Sequence, residues 1–254
     1  MRQRHVKGID EKLAAYADLI LPCSSQTAMS CAAVEHLFVG LNNSEKADGY
    51  PSVQLLPSGR PVRWYQRSSP RYIFPEGYER TYVEFGCGRG HFINEMAAKD
   101  LEALYIGVEG CKTVVVKALA KTRAAGFANI RYIDAFINDA DAAFEEGSLD
   151  GVFLNFSDPW PKERHASRRL TAPEKACAYL RILKPGGIAV FKTDSEKFFK
   201  YSITSFIEAG FKIVDLSNEV ADRAVSTPTE YELRFRSLGQ PVYHFKALKY
   251  LEIP

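Results

Sequence analysis

Two hydrophobic rhythms alternate along this chain from Thr81 onward. Thr81-Tyr82-Val83-Glu84-Phe85, Leu104-Tyr105-Ile106-Gly107-Val108, Asn129-Ile130-Arg131-Tyr132-Ile133, Gly151-Val152-Phe153-Leu154-Asn155 and Ile188-Ala189-Val190-Phe191-Lys192 are short and dominated by β-branched and aromatic residues. Such runs predict buried strands. Between and after them, His91 to Ala98, Cys111 to Ala125, Glu174 to Leu183 and Glu196 to Ala209 space their apolar residues as helices do. Gly126 stands at a C-cap position, and Lys184-Pro185-Gly186-Gly187 stops the next helix, as both residue types do where a helix must end. Strands separated by helices predict an α/β fold with a doubly wound, mostly parallel sheet of the Rossmann-like kind.

The chain before Thr81 follows neither rhythm. Ile9 to Leu21 predicts a helix, whereas Pro51 to Tyr78 is broken by prolines and glycines and predicts loops. The expected division is therefore an N-terminal helix and irregular extension over residues 1–77 and an α/β domain over residues 78–254. The loop stretch interleaves Arg60, Arg63, Arg67 and Arg71 with Trp64, Tyr65 and Tyr72. That pattern suits nucleic acid, since guanidinium groups take phosphate and rings take bases. It equally suits a solvated loop anchored by its rings.

Composition narrows the field only slightly. The 254 residues carry a formal net charge of +2, so any polyanion partner must be argued from clustering. The five cysteines form no Cys-x-x-Cys pair, which argues against a zinc site or a disulfide framework and for reduced thiols. The chain lacks the roughly 18 consecutive apolar residues of a membrane helix. A cytoplasmic protein without metal or membrane attachment is expected, as a monomer or a homodimer.

The candidate chemistry gathers at the ends of the predicted strands, where doubly wound sheets place their ligands. Gly86-Cys87-Gly88-Arg89-Gly90 lies between the first strand and the first helix. Its Gly-x-Gly-x-Gly spacing departs from the dinucleotide fingerprint and suits the amino-acid end of S-adenosylmethionine (SAM), which has no pyrophosphate to cradle. Glu109 ends the second strand, about 20 residues on, where an acid meets ribose hydroxyls. Glu84 is a carboxylate in an otherwise buried strand and needs a partner, such as a cofactor ammonium or backbone N–H groups. Asp134, Asn138 and Asp139 are open alternatives for the adenine. After the fourth strand, Asp158-Pro159-Trp160-Pro161 sets an acid in a proline-stiffened loop, followed by Lys162, Arg164, His165, Arg168 and Arg169. Such a cluster of cations fits phosphate contacts. Asp194 ends the fifth strand. Thr229-Glu230-Tyr231-Glu232 could offer two acids to a base's donor edge and a ring to its face; by pattern alone it is a half-buried strand.

These residues together resemble the bacterial tRNA (guanine-N7-)-methyltransferases. The resemblance lies in Val83-Glu84-Phe85-Gly86-Cys87-Gly88-Arg89-Gly90, Ile106-Gly107-Val108-Glu109, Phe156-Ser157-Asp158-Pro159-Trp160-Pro161-Lys162 with Arg164-His165 and Arg168-Arg169-Leu170, Phe191-Lys192-Thr193-Asp194 and Thr229-Glu230-Tyr231-Glu232. It covers about residues 81 to 248, and Ser157 with Phe191-Lys192-Thr193-Asp194 looks like the Gram-positive branch. The resemblance implies a class I SAM-dependent methyltransferase that forms 7-methylguanosine at position 46 in the tRNA variable loop. It implies that Glu84, Glu109 and Asp158 contact SAM or its immediate surroundings; with Gly86, Gly88, Gly90 and Asp134 these make up the expected cofactor site, and Asp158 is expected on chemical grounds to face the reacting guanine and offset its charge. Lys162, Arg164, His165, Arg168, Arg169, Asp194 and Thr229 to Glu232 are implied to hold the tRNA. Two features depart from the family: Phe136 stands where an acid is usual, and the segment 24–78 is longer than usual. The alternatives are a nicotinamide-dependent oxidoreductase using the glycine loop and a non-catalytic RNA-binding protein of the same fold.

Overall fold

Seven strands form one sheet in the order β3-β2-β1-β4-β5-β7-β6, seen in a computed structural model that describes residues 8–21, 72, 74–75, 77–136, 140–217 and 228–250. The strands are β1 (Arg80–Phe85), β2 (Ala103–Val108), β3 (Ile130–Ile133), β4 (Leu149–Asn155), β5 (Leu183–Thr193), β6 (Lys212–Ser217) and β7 (Tyr243–Leu248). The helices are α1 (Ile9–Ala14), α2 (His91–Lys99), α3 (Lys112–Ala125), α4 (Ala140–Ala143), α5 (Pro173–Ile182), α6 (Glu196–Glu208) and α7 (Glu230–Ser237). All pairings among β1 to β5 are parallel, and β7 lies antiparallel between β5 and β6. The expected doubly wound sheet is present. β6, β7, α4 and α7 add to the elements expected from the sequence.

Two apolar clusters sandwich the sheet. Val83, Phe85, Leu104, Ile106, Leu154, Tyr179, Phe191 and Phe206 belong to the larger one, under α5 and α6. Ile93, Tyr105, Val115, Leu119 and Tyr132 belong to the other, under α2 and α3. Burying an apolar side chain of this size contributes about 1.5–3 kcal/mol, so the strands are anchored from both faces and their C-terminal ends form a rigid rim.

The N-terminal segment departs from the expected single helix. The helix stops at Ala14, a short 3-10 turn covers Ala17–Leu19, and Ile20 then bridges Tyr132 in parallel. Leu21 N–H donates to the Tyr132 carbonyl at 2.9 Å. Pro22 explains part of this, because the residue before a proline is pushed toward extended backbone. Leu13 and Leu19 are buried against α3 and β3, Lys112 pairs with Asp10 at 2.6 Å, and Arg123 pairs with Asp18. Residues 8–21 thus share the core of the α/β unit. Arg60, Arg63, Trp64, Tyr65, Arg67 and Arg71 lie outside the described residues, while Tyr72 packs against the larger cluster.

Candidate active site

The glycine loop is tied down from three sides. Gly86, Gly88 and Gly90 all have positive φ, at 75°, 56° and 70°, a region that glycine alone enters without strain. The N–H groups of Gly86 and Cys87 donate to the Val108 carbonyl at 2.8 and 3.0 Å. Glu109 clasps the loop, accepting from Gly88 N–H at 3.1 Å and from Cys111 N–H at 2.8 Å. Beneath it, Asn94 Nδ2 donates to the Gly90 carbonyl at 2.7 Å, and Asn94, Thr122 and the Tyr132 hydroxyl bond one another. A Cβ at Gly90 would stand 2.7 Å from the Tyr132 hydroxyl and 2.9 Å from Ala118, whereas one at Gly88 would meet nothing within 4 Å. Gly90 is therefore a packing glycine, and Gly88 leaves the loop open toward the cavity in front of it.

That cavity has a volume of about 570 Å3 and is lined by Glu84, Gly86–Arg89, His91, Asn155, Phe156, Thr229, Tyr231 and Arg234, among others. Glu84 sits at its floor, 3% exposed. Its Oε1 accepts from Asn155 Nδ2 at 2.9 Å, while Oε2 is buried and has no hydrogen-bond partner. Burial pushes the Glu84 carboxyl up to about 8, against the Asn155 hydrogen bond and the charge of Lys192, with Glu109 adding to the rise. An orphaned buried carboxylate oxygen is costly, so the floor is built to receive a donor, preferably a cation.

Helix α7 forms the opposite wall. The expectation of a half-buried strand at Thr229-Glu230-Tyr231-Glu232 is corrected: Thr229 Oγ1 accepts from Glu232 N–H at 3.0 Å and caps α7. Thr-x-x-Glu is a helix-start signature, and the sequence carries it at Thr229-x-x-Glu232. Tyr231 is 58% exposed and lines the cavity. Glu232 is buried and pairs with Lys192 at 2.7 Å, so it faces the protein rather than a base. Phe156, at φ 48°, stacks on Tyr231 and on Phe235, each at 5.8 Å between centroids. A non-glycine residue with positive φ is a strained conformation that its surroundings must hold; here the Phe156 N–H donates to the Lys192 carbonyl at 2.8 Å.

The loop after β4 is held chiefly by one buried cation. Arg169 is 6% exposed, donates from Nε to the Pro159 carbonyl and from Nη2 to the Trp160 carbonyl, both at 3.0 Å, and lies over the Tyr201 ring. Arg169 thus differs from the expectation that it faces the tRNA: its guanidinium is turned inward and spent on the loop's own carbonyls. Lys162, Arg164 and Arg168 are exposed and His165 is half-buried. Arg168 and His165 both pack on the Trp160 ring. Asp158 is exposed, two residues beyond the Phe156 wall, and Asp194 is exposed at the end of β5.

On the adenine side Asp134 is half-buried, with its carboxyl raised by burial against the charge of Lys112. Asn138 and Asp139 lie outside the described residues, as does the Glu230 side chain. Phe136 is 70% exposed, and its ring covers Gly110 so closely that a Cβ there would come within 2.3 Å of it. Among the described residues, no His, Cys, Asp and Glu side chains cluster to hold a metal, and no helix is long and apolar enough to cross a membrane.

Residues 79–245 match the family model described as "Putative methyltransferase". The tRNA (guanine-N(7)-)-methyltransferase of Geobacillus kaustophilus is 35% identical over 195 residues, covering 71% of this chain and 90% of that one. The chain belongs to this family. The enzyme of the same name from Streptococcus sanguinis is 37% identical over 207 residues, with 80% and 94% covered. In fold, the 16S rRNA methyltransferase KamB matches with a TM-score of 0.52 at 14% identity, over 70% of this chain and 95% of that chain. The fold is that of the class I methyltransferases, the protein is a SAM-dependent methyltransferase, and SAM is its cofactor. For this family member, the structure gathers Glu84, Gly86, Gly88, Thr229 and Tyr231 around one cavity, packs Gly90 against Tyr132 and Ala118, and places Glu109 behind the glycine loop. It adds Asn155, Phe156, Lys192 and the Asn94–Thr122–Tyr132 trio. Asn155 and Lys192 had a signal in the sequence, as polar ends of otherwise apolar strands.

Proposed function

We propose that this protein transfers the methyl group of SAM to N7 of a guanine in tRNA, at position 46 in the variable loop. The observation that carries the site assignment is the buried, unpartnered oxygen of Glu84 at the floor of a glycine-loop cavity, which fits the cofactor's ammonium. Bound SAM supplies a methyl group already activated on a sulfonium. Glu109, fixed by two backbone N–H groups, keeps lone pairs for ribose hydroxyls. Asp134 and the exposed ring of Phe136 flank the adenine end.

Guanine N7 carries a lone pair and no proton, so no residue must act as a base. SAM bound there would give up its methyl to N7 and keep the C–S electron pair on sulfur. The protein's task is alignment. Tyr231 and Phe156 give the base an aromatic wall, and Asp158 at the rim accepts from the guanine N1 and N2 donors and offsets the positive charge the base gains. Lys162, Arg164, His165 and Arg168 hold the phosphate backbone, and Asp194 and Thr229 border the substrate side. We place the enzyme in the cytoplasm with its tRNA, and the start of the α/β sheet unit near residue 78, with residues 8–21 packed into its core. Transfer of tritium from labelled SAM to tRNA, followed by mapping of the base, tests the reading: label on any base other than guanine at position 46, or none, refutes it.

A further inference from the structure

Among the described side chains of α7, only Glu232 is buried. A helix normally docks through an apolar stripe, yet this one docks through an acid, helped by the Phe156–Phe235 stack. The partner is Lys192 Nζ at 2.7 Å, and both side chains are nearly dry, at 4% and 6% exposure. Removing one member of such a pair strands the other charge. Lys192 also lies next to the cofactor floor. It is the register partner of Asn155, whose side chain bonds Glu84. Glu84 pairs with Phe153, two residues before Asn155, so Glu84, Asn155 and Lys192 share one face of the sheet.

We infer that Lys192 is a positioning residue for both ligands: through Glu232 it seats α7 as the wall of the guanine site, and across Asn155 it holds a positive charge near Glu84 for the cofactor's ammonium. This rests on the proposed reading of the cavity. The charge of Lys192 works against the burial that raises the Glu84 carboxyl. The other charged or titratable groups around that carboxyl are Glu109 and Cys87, which face it from β2's end and the loop, Tyr132 on β3, Arg89, His91, Tyr231 and Arg234 along the cavity, and Glu232 behind Lys192, whose charge loses its partner in Lys192→Met and pushes Glu84 the same way. All of these remain when Lys192 alone is replaced.

Lys192→Met should therefore raise the pH at which Glu84 ionises. A rise of about one pH unit cuts the ionised fraction near pH 7 roughly tenfold, and SAM affinity with it. Calorimetric titration of SAM across about pH 6.5 to 9 should show that tenfold weakening and an upward-shifted profile, with Lys192→Arg restoring both. Glu232→Gln keeps the cation, so it should leave the SAM profile in place or shift it downward while raising the tRNA KM severalfold. A SAM profile in Lys192→Met identical to wild type overturns the inference. So does a wild-type tRNA KM in Glu232→Gln, which serves as the test if Lys192→Met fails to fold. Glu84→Gln separates the levels: unchanged SAM affinity there refutes the cavity reading itself, whereas weakened affinity with an unmoved Lys192→Met profile refutes only the role of Lys192.

Discussion

Around the glycine loop the backbone is fastened by Val108, Glu109 and Asn94, whereas from Asp158 to Arg168 most of the charges stand in solvent. The first region lines the cavity and the second follows Phe156 of its wall, and under the proposed reading they solve different problems. The cofactor is small and enters a site whose donors and acceptors must be in place beforehand, because reorganising them would consume binding energy. The tRNA brings its own counter-charge, and exposed cations on a stiff loop suit a polyanion whose binding is largely electrostatic. Only Arg169 crosses between these styles: a cation in the basic run, yet buried and spent on the loop's own carbonyls. The comparison makes distinct demands on substitutions in each region.

The largest effect is expected at the exposed side. Asp158→Ala should lower single-turnover methyl transfer by about 100–1,000-fold, the scale of one lost charge-stabilising group. The melting temperature should not move, because an exposed carboxylate has little to lose on folding. Turnover within a few-fold of wild type would remove Asp158 from the reacting centre.

On the buried side the same change of one residue should act through stability. Gly90→Ala adds a Cβ 2.7 Å from the Tyr132 hydroxyl at a backbone φ of 70°. Overpacking and strain of this kind cost about 2–4 kcal/mol together, which urea unfolding would measure, and SAM binding should fall in parallel. Gly88→Ala, with open space at its Cβ, carries only the strain of its φ and should unfold nearer to wild type. Equal losses at the two positions would contradict the packing role given to Gly90.

A pH experiment sharpens the contrast further. Folding raises the Glu84 carboxyl from 4.5 to about 8. Between those values the folded state binds a proton that the unfolded state has released, so stability falls as pH rises. The unliganded enzyme should lose on the order of 3 kcal/mol relative to Glu84→Gln between about pH 5 and pH 8. Parallel stability curves for the two proteins would show that Glu84 is better solvated than its burial indicates.

How much of this could be read from the sequence follows from the range of the interactions. Glu109 and the glycines were legible because a strand end and a tight turn impose local spacing. Helix α7 was legible in principle, since Thr229-x-x-Glu232 is a local capping signal, but its alternating acids invited a base-reading interpretation. The Lys192–Glu232 pair was not legible, because the two residues lie 40 apart in the chain and meet only when β5 and α7 pack together. Nor can Arg168 and Arg169 be told apart by composition. Their fates diverge because the short 3-10 run Glu163–Arg168 ends between them, turning one side chain out over Trp160 and the other into the loop.

That adjacent pair gives the smallest and most discriminating prediction. Arg168→Ala should weaken tRNA binding modestly and reduce the slope of log affinity against log salt by about 0.7–0.9, the share of one phosphate contact, as should Lys162→Ala. Arg169→Ala should leave that slope unchanged, since its guanidinium never reaches the phosphate. Instead it leaves the Pro159 and Trp160 carbonyls without their donor, at a cost of about 1–3 kcal/mol in stability, and loosens the loop that carries Asp158. Its signature is thus a lower unfolding midpoint and a lower kcat at constant salt slope. If the slope fell for Arg169→Ala as it does for Arg168→Ala, both arginines would be phosphate ligands, and the buried clamp would have to open when tRNA binds.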